Sequence, residues 1–349
     1  MLFFIGLGIE QSLTEKSSGI IGRCDCVFYE SYTSPVLNPE TLDNLSKKAK
    51  TNAIVQSVKR EFVEDGRKIL ETALGSEVAL VCSGDPMVAT THQDLRARAI
   101  KRGIQTKILH GSSIVCSVGG ELGLHSYNFG RIVTMTKGPM QHTACTTVFR
   151  NLLQGLHTII LLEWDESNNF FLEPAQASRA LLEAENDLKL GAIDPETLVF
   201  VASRLGRDDS ALRSTTLGKL SDEQIGSPPH VLVLPGRLHF TEKESLSAIF
   251  VKSTESFPDN SSNIRRLSKQ MVERYSEKTL RALERAQKAA KASTSKANFS
   301  DVFENVECYT QDALRFLNEG RDELAVLSIG YAEGLLDSLR FSGQLDFEW

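Results

Sequence analysis

Short apolar runs punctuate the first 110 residues, at 2–5, 26–29, 78–82 and 106–110. Each holds four or five residues, mostly β-branched, aromatic or leucine, which is the length and composition of a buried strand. Between them, residues 14–22 leave room for only a short helix, and 40–50 and 61–74 carry apolar and charged positions at helical spacing. Residues 94–102 put Leu95 and Ala99 four apart before Gly103, a helix stop. Strands alternating with helices predict a parallel sheet.

A second series follows, with strands expected at 131–135, 157–163, 197–203 and 230–234 and a long amphipathic helix over 174–190. So many alternating elements exceed one compact sheet. The pattern predicts two α/β domains, residues 1–112 and 113–251. After Val251 the chain turns polar and is broken by Pro258, so residues 252–262 read as a linker. From there only helical stripes remain. Ile264, Leu267, Met271, Tyr275, Leu283 and Ala286 form the first, Val302, Val306, Tyr309, Ala313 and Phe316 the second, and Leu324, Leu327, Tyr331, Leu335 and Leu339 the third. They predict a small helical bundle over 263–349. No internal repeat is evident, and the one biased tract is the Ala/Lys/Ser run at 286–297.

With 349 residues the chain has room for two or three domains of roughly 100 to 200 residues each. A net charge of −6 argues against wholesale nucleic-acid binding. The first helix of the bundle is the exception, since Arg265, Arg266, Lys269, Arg274, Lys278, Arg281, Arg285, Lys288 and Lys291 make residues 264–291 basic. A solvated face explains such a run, and docking to RNA or an acidic partner is the alternative. Cys24, Cys26, Cys82, Cys116, Cys145 and Cys308 are scattered, several in apolar runs, so a disulfide framework is not expected. Cys24 and Cys26 lack a second pair for a zinc site and read as small buried hydrophobes; no metal is expected. No run approaches the roughly 18 to 20 apolar residues of a membrane span. Residues 1–9 lack a basic segment and lead into Gly6-Leu7-Gly8, so they read as a first strand rather than a signal peptide, and the cytoplasm is the expected location.

The stretch most suggestive of chemistry is Cys82-Ser83-Gly84-Asp85-Pro86-Met87-Val88-Ala89-Thr90-Thr91-His92. It sits between an expected strand and an expected helix, with Thr91 and Asp94 in a capping-box pattern. Ligands of open α/β sheets bind outside the carboxyl ends of strands. Gly84 permits close backbone approach, Pro86 stiffens the turn, and Asp85 offers a carboxylate. Gly-Asp-Pro is also common turn chemistry. Gly6-Leu7-Gly8 lacks the third glycine of a dinucleotide fingerprint, which makes a phosphate cradle a weak reading.

Five blocks, Phe4-Ile5-Gly6-Leu7-Gly8, Glu30-Ser31-Tyr32-Thr33-Ser34, Gly84 to His92, His110-Gly111-Ser112-Ser113-Ile114 and Pro228 to His239, resemble the diphthine synthase family in order and spacing. The resemblance covers residues 1 to about 250. It implies the two-domain tetrapyrrole methylase-like fold with S-adenosylmethionine in the cleft, usually as a homodimer. The implied reaction is repeated methylation of the amino group of a 3-amino-3-carboxypropyl-modified histidine on translation elongation factor 2, giving diphthine in diphthamide biosynthesis. Carried over by position, the cofactor contacts are Ile9, Asp85, Val88, Ser113, Ile114, Leu162, Leu205 and His230. Gly111-Ser112 departs from the family's usual spelling before Ser113, and Leu205 stands in Ser203-Arg204-Leu205-Gly206, where alanine more often precedes the arginine. His92 and His239 are candidate bases, each with a structural role as the alternative. A precorrin-type tetrapyrrole methyltransferase, or a non-catalytic adaptor that retains the cofactor, are the competing readings. The last helices resemble a small archaeal helical family of unknown function, which points to an archaeal source.

Overall fold

The computed structural model describes residues 1–35, 40–138, 141–264, 267–292 and 298–349. They fall into two compact units, Met1–Ile264 and Arg265–Trp349. Arg265, Arg266 and positions 293–297 of the Ala/Lys/Ser run lie outside the described residues.

The first sheet is built from β1 (Leu2–Gly6), β2 (Cys26–Glu30), β3 (Ile54–Val58), β4 (Val78–Cys82) and β5 (Thr106–Leu109), with α1 (Glu15–Ile21), α2 (Thr41–Lys48), α3 (Arg60–Asp65), α4 (Arg67–Gly75) and α5 (His92–Lys101) between them. Its order is β3-β2-β4-β1-β5, all parallel. Alternation along the strands divides the core. Leu2, Phe4, Phe28, Val78 and Leu80 pack with Val63, Leu70 and Leu95 on one face. Phe3, Ile5, Val27, Tyr29 and Val81 pack with Ile20, Ile21 and Leu45 on the other. Burying each such side chain contributes about 1.5–3 kcal/mol. The expected helix over 61–74 is two helices, because Gly66 takes a left-handed φ of 62° and ends α3. The chain winds outward in opposite directions from β1 and β4, so the crevice beyond their carboxyl ends is the topological switch point.

The second sheet has the order β11-β10-β12-β7-β6. It contains β6 (Val133–Met135), β7 (Thr158–Leu162), β10 (Leu198–Ser203), β11 (Ala211–Thr216) and β12 (His230–Leu234). Only β6 and β7 run parallel; the other pairs are antiparallel. The hairpin β8 (Trp164–Asp165) and β9 (Phe170–Phe171) stands apart. The helices are α6 (Ile114–Glu121), α7 (Gln141–Leu153), α8 (Pro174–Leu188), α9 (Leu217–Leu220) and α10 (Phe240–Phe250). Residues 252–262 are not a free linker. Phe257 is fully buried against the rings of Phe200 and Phe250, both 6.2 Å away. Asn260 pairs with both backbone groups of Leu198 (3.1 and 2.9 Å) and donates to the Pro235 carbonyl (2.9 Å). One aromatic and one amide thus strap a polar stretch onto the sheet, and Ile264, expected in the bundle, joins that sheet's core.

The second unit holds α11 (Leu267–Ala292), α12 (Ser300–Asn318) and α13 (Asp322–Phe341). Val272, Leu283, Ala286, Val306, Ala313, Ile329, Ala332, Leu336 and Leu339 fill its core. Not every cation of α11 faces solvent freely. Lys278 pairs with Glu333 at 3.4 Å and lies 4.4 Å from the Trp349 ring, and Arg285 donates to the Trp349 carbonyl. All six cysteines are free thiols; Cys24 and Cys26 are buried. Among the described residues no helix is long and apolar enough to cross a membrane.

Candidate functional site

Three glycine-bearing loops meet at the switch point. The loops after β1 and β4 are zipped by reciprocal backbone hydrogen bonds, Gly8 N to Gly84 O at 3.1 Å and Gly84 N to Gly8 O at 2.9 Å. Gly8 and Gly84 have φ of 73° and 68°, the left-handed region glycine enters without steric cost. Gly111, after β5, packs so close that a Cβ there would meet Gly8 N at 2.5 Å.

On this base stands Asp85, only 7% exposed. Its Oδ1 accepts from Met87 N (2.8 Å), and its Oδ2 lies 2.8 Å from His110 Nδ1. The following turn wraps the Pro86 carbonyl, which faces Thr90 Oγ1 at 2.6 Å and His92 Nδ1 at 3.1 Å. Ala89 carries a φ of 55°, a strained value for a residue with a Cβ. The capping box expected from Thr91 and Asp94 does not form: Thr91 makes no cap hydrogen bond, and its hydroxyl sits 3.2 Å from Tyr32 OH instead. Ser113 does cap α6, its Oγ accepting from Val115 N at 3.3 Å. The 110–114 loop is therefore a helix entrance rather than a plain loop.

A cavity of about 440 Å³ opens here between the carboxyl ends of the first sheet and loops of the second. Ligand clefts typically measure about 300–1,000 Å³. Ile9, Asp85, Val88, Ser113, Ile114, Leu162, Leu205 and His230 all line it. Ile9, Val88, Ile114, Leu162 and Leu205 give apolar walls, Asp85 and Ser113 polar groups, and the glycines a backbone approach. That donor set suits a nucleoside bearing a compact cationic centre. His230 is held by its Nε2 at 2.8 Å from the Ile225 carbonyl, and burial lowers its pKa. Its other ring nitrogen, Nδ1, lies 3.9 Å from a carboxylate oxygen of Glu173.

The two histidines considered as bases do not line the cavity. His92 is fully buried, and burial pushes its pKa down to about 4. His239 is the N-cap of α10, its Nδ1 2.7 Å from Thr241 Oγ1. Both occupy structural positions. Sequence reasoning passed over Arg60, Thr134, Thr136 and Trp164, which also line the cavity. Trp164 donates from Nε1 to the Ser31 carbonyl at 2.9 Å, and Ser31 Oγ donates to Glu166, so the β8–β9 hairpin is pinned across the cleft. A tryptophan directly after the acidic residue that ends an apolar strand is the one local signal that could have marked it.

Beneath the floor, Glu30 Oε1 faces His92 Nε2 at 3.6 Å, with both side chains fully buried. Burial raises the Glu30 pKa to about 7 against the opposing pull of the Thr33 N–H, the Thr33 hydroxyl and the Tyr32 N–H. Among the described residues, Glu30, Cys82 and His92 are the group that brings three potential metal-ligand atoms within 4.8 Å of one another.

Residues 1–221 match the family described as Tetrapyrrole (Corrin/Porphyrin) Methylases, and residues 274–345 match a protein family of unknown function, DUF357. The chain is 37% identical over 257 residues to the diphthine synthase of Methanothermobacter thermautotrophicus, covering 71% of this chain and 95% of that one. It is 36% identical over 258 residues to the diphthine synthase of Methanosarcina mazei, covering 70% and 94%. Among solved structures, a conserved hypothetical protein from Aeropyrum pernix K1 superposes with a TM-score of 0.64 at 30% identity, over 72% of this chain and 90% of that one. A crystal structure of diphthine synthase superposes with a TM-score of 0.63 at 28% identity, over 73% and 98%.

Proposed function

The chain belongs to the tetrapyrrole methylase family, with diphthine synthases among its relatives, and from that premise we propose how its first 264 residues work. They form an S-adenosylmethionine-dependent methyltransferase of diphthamide biosynthesis. The acceptor is the amino group of the 3-amino-3-carboxypropyl histidine on translation elongation factor 2. The observation that carries the reading is the single cavity at the switch point, lined by residues from both sheets. The broad description of the family alone would allow a tetrapyrrole substrate, but relatives matched over 94–95% of their length are diphthine synthases.

When bound, the cofactor supplies an already activated methyl group. The chain's own task is then to hold two reactants in line and to keep water out, which can contribute about 7–11 kcal/mol in well-oriented cases. Ile9, Val88, Ile114, Leu162 and Leu205 would enclose the nucleoside, and Asp85 would place its carboxylate toward positive charge. Tyr32, Thr33, Thr90 and Thr91 line the remaining wall, where the Tyr32 and Thr91 hydroxyls pair with each other and the Thr90 hydroxyl is held by the Pro86 carbonyl. The acceptor amine must reach the cleft unprotonated. His92 and His239 lie outside the cavity, so neither is placed to take that proton, whereas the carboxylates of Asp85 and Glu163 do line it.

Asp85 supports this assignment in a measurable way. D85A is expected to weaken S-adenosylmethionine binding about 10-fold or more, equivalent to about 1.4 kcal/mol, in isothermal titration. H110A, which removes only the exposed partner of that carboxylate, is expected to change it less; equal effects would mean that the pairing, not the carboxylate, matters.

The reaction itself is tested by incubating the protein with labelled S-adenosylmethionine and aminocarboxypropyl-modified elongation factor 2, then reading intact mass. Successive gains of one methyl are expected, and label on an added macrocycle with none on the factor would refute the acceptor. A homodimer and a cytoplasmic site of action belong to the same reading. So does a docking role for the basic helix α11, and running the assay on residues 1–264 alone reads it. A raised KM for the factor supports docking, and an unchanged one removes it.

A further inference from the structure

The mechanism above leaves Glu30 and His92 unused, yet both are completely buried at the junction of two loops that wall the cavity. Their hydrogen-bonding partners fix what they can do. His92 Nδ1 faces the Pro86 carbonyl oxygen at 3.1 Å, an atom that can only accept, so Nδ1 carries the hydrogen. In the neutral ring this leaves Nε2 as a lone pair in need of a donor. Across from it, Glu30 Oε2 accepts from Thr33 N at 3.0 Å, whereas among the described residues Oε1 has no hydrogen-bond partner, and neither has Nε2. The two orphan atoms are 3.6 Å apart, just beyond hydrogen-bond range, and a small rotation of either side chain closes the gap.

We propose that Glu30 is protonated in the folded protein and donates to His92 Nε2, and that this one proton positions the cavity wall. It joins the centre of the 30–35 loop, which carries Tyr32 and Thr33, to the Pro86 carbonyl, around which the 86–92 turn with Thr90 and Thr91 is wrapped. The inference rests on the reading of this cleft as the methyl-transfer site. Glu30 and His92 touch neither reactant and act as positioning residues. Other titratable groups acting on the pair are Tyr29, the neighbour of Glu30 on β2, Cys82 from β4, Tyr32 with Arg60 behind it, and Glu166 from the β8–β9 hairpin. Burial raises the Cys82 thiol and the Tyr32 phenol, so both stay neutral beside the pair. Burial likewise raises the Glu30 carboxyl and lowers the imidazole, in agreement with a neutral pair. Because the folded state holds the Glu30 proton more tightly than the unfolded chain, its contribution is present at low pH and is lost as the pH rises from about 4.5 through about 7.

Glutamine is the discriminating substitution, since its amide can donate to Nε2 and accept from Thr33 without a charge. E30A is expected to lower kcat and S-adenosylhomocysteine affinity about 10- to 100-fold, as misplacement near a reacting centre does, and E30Q to recover most of both. E30Q is also expected to flatten the alkaline decline of the melting temperature. Infrared difference spectra should show a protonated buried carboxyl at mildly acidic pH in the wild type and none in E30Q. A missing carboxyl band, or E30Q as impaired as E30A, would establish an ionised Glu30 and overturn the proposal. So would a folded E30A with full activity and affinity, or a stoichiometric metal in the purified protein. If the wild type bound cofactor but methylated no elongation factor, the functional premise would fail while the infrared and affinity results still decided the pair.

Discussion

G111A is expected to destabilise Met1–Ile264 by about 3 kcal/mol and to cut methyl transfer about 100-fold. A Cβ at this position would press into the Gly84 carbonyl, lie 2.5 Å from Gly8 N and come within 3.0 Å of the Gly6 carbonyl carbon. All three are backbone atoms, and two belong to the reciprocal Gly8–Gly84 hydrogen bonds, so no side-chain rotation can relieve the overlap. Moving the β1 or β4 loop instead would shift Ile9 or Asp85 away from the cavity. Thermal melting with cofactor titration reads both effects. Gly120, in α6, has open space around its Cβ direction and serves as the control: G120A should melt at or above the wild-type temperature. A G111A protein with wild-type melting and affinity would show that the three loops are not closely packed in solution.

E242A is expected to cost more, about 4 kcal/mol, and to lower the melting temperature by about 10 °C. Glu242 is completely buried. Its Oε1 accepts from His125 N (2.8 Å), Asn128 Nδ2 (3.2 Å) and His157 Nε2 (3.2 Å), and its Oε2 accepts from His239 N (2.8 Å). Truncation would orphan all four donors, each worth about 1–3 kcal/mol when left buried and unpaired. Burial tends to raise the Glu242 pKa, but the His125 and His239 amides and His157 outweigh it and the net shift is downward. Burial lowers His157 as well. Both groups therefore stabilise the fold at neutral pH, and both contributions fade on acidification, from about 6.5 for His157 and about 4.5 for Glu242. Melting across pH should show this acid limb in the wild type and a shallower one in E242A. An equal slope in both proteins would locate the acid sensitivity elsewhere.

The central strands were legible because burial on both faces leaves an unbroken apolar run, as in β1 and β4. Edge strands carry no such mark. In β3, Gln56 and Ser57 are exposed, and β11 alternates polar and half-buried residues, so neither stood out from loop. Strand direction in the second sheet was equally hidden, since apolar runs read alike whether their neighbours are parallel or antiparallel. The candidate site divides in the same way. Residues in contiguous blocks, such as Asp85 and Val88, could be named in advance, and all eight reach one cavity. Trp164, Arg60 and Thr134 arrive from separate elements, and only the tertiary fold brings them together. The Thr91–Asp94 pattern misled because a hydroxyl with two possible partners took the distant one, Tyr32, over its own helix.

The strap formed by Phe257 and Asn260 sets where this protein can be divided. A gene truncated after Val251 would remove one of the two rings packed on Phe200, leaving Phe250, and strip the Leu198 backbone of its amide partner, even though every strand was retained. Excision after Ile264 keeps both anchors. In the history of such a fusion, a helical appendage could be gained or exchanged without touching the enzyme only if the graft point fell beyond that anchor.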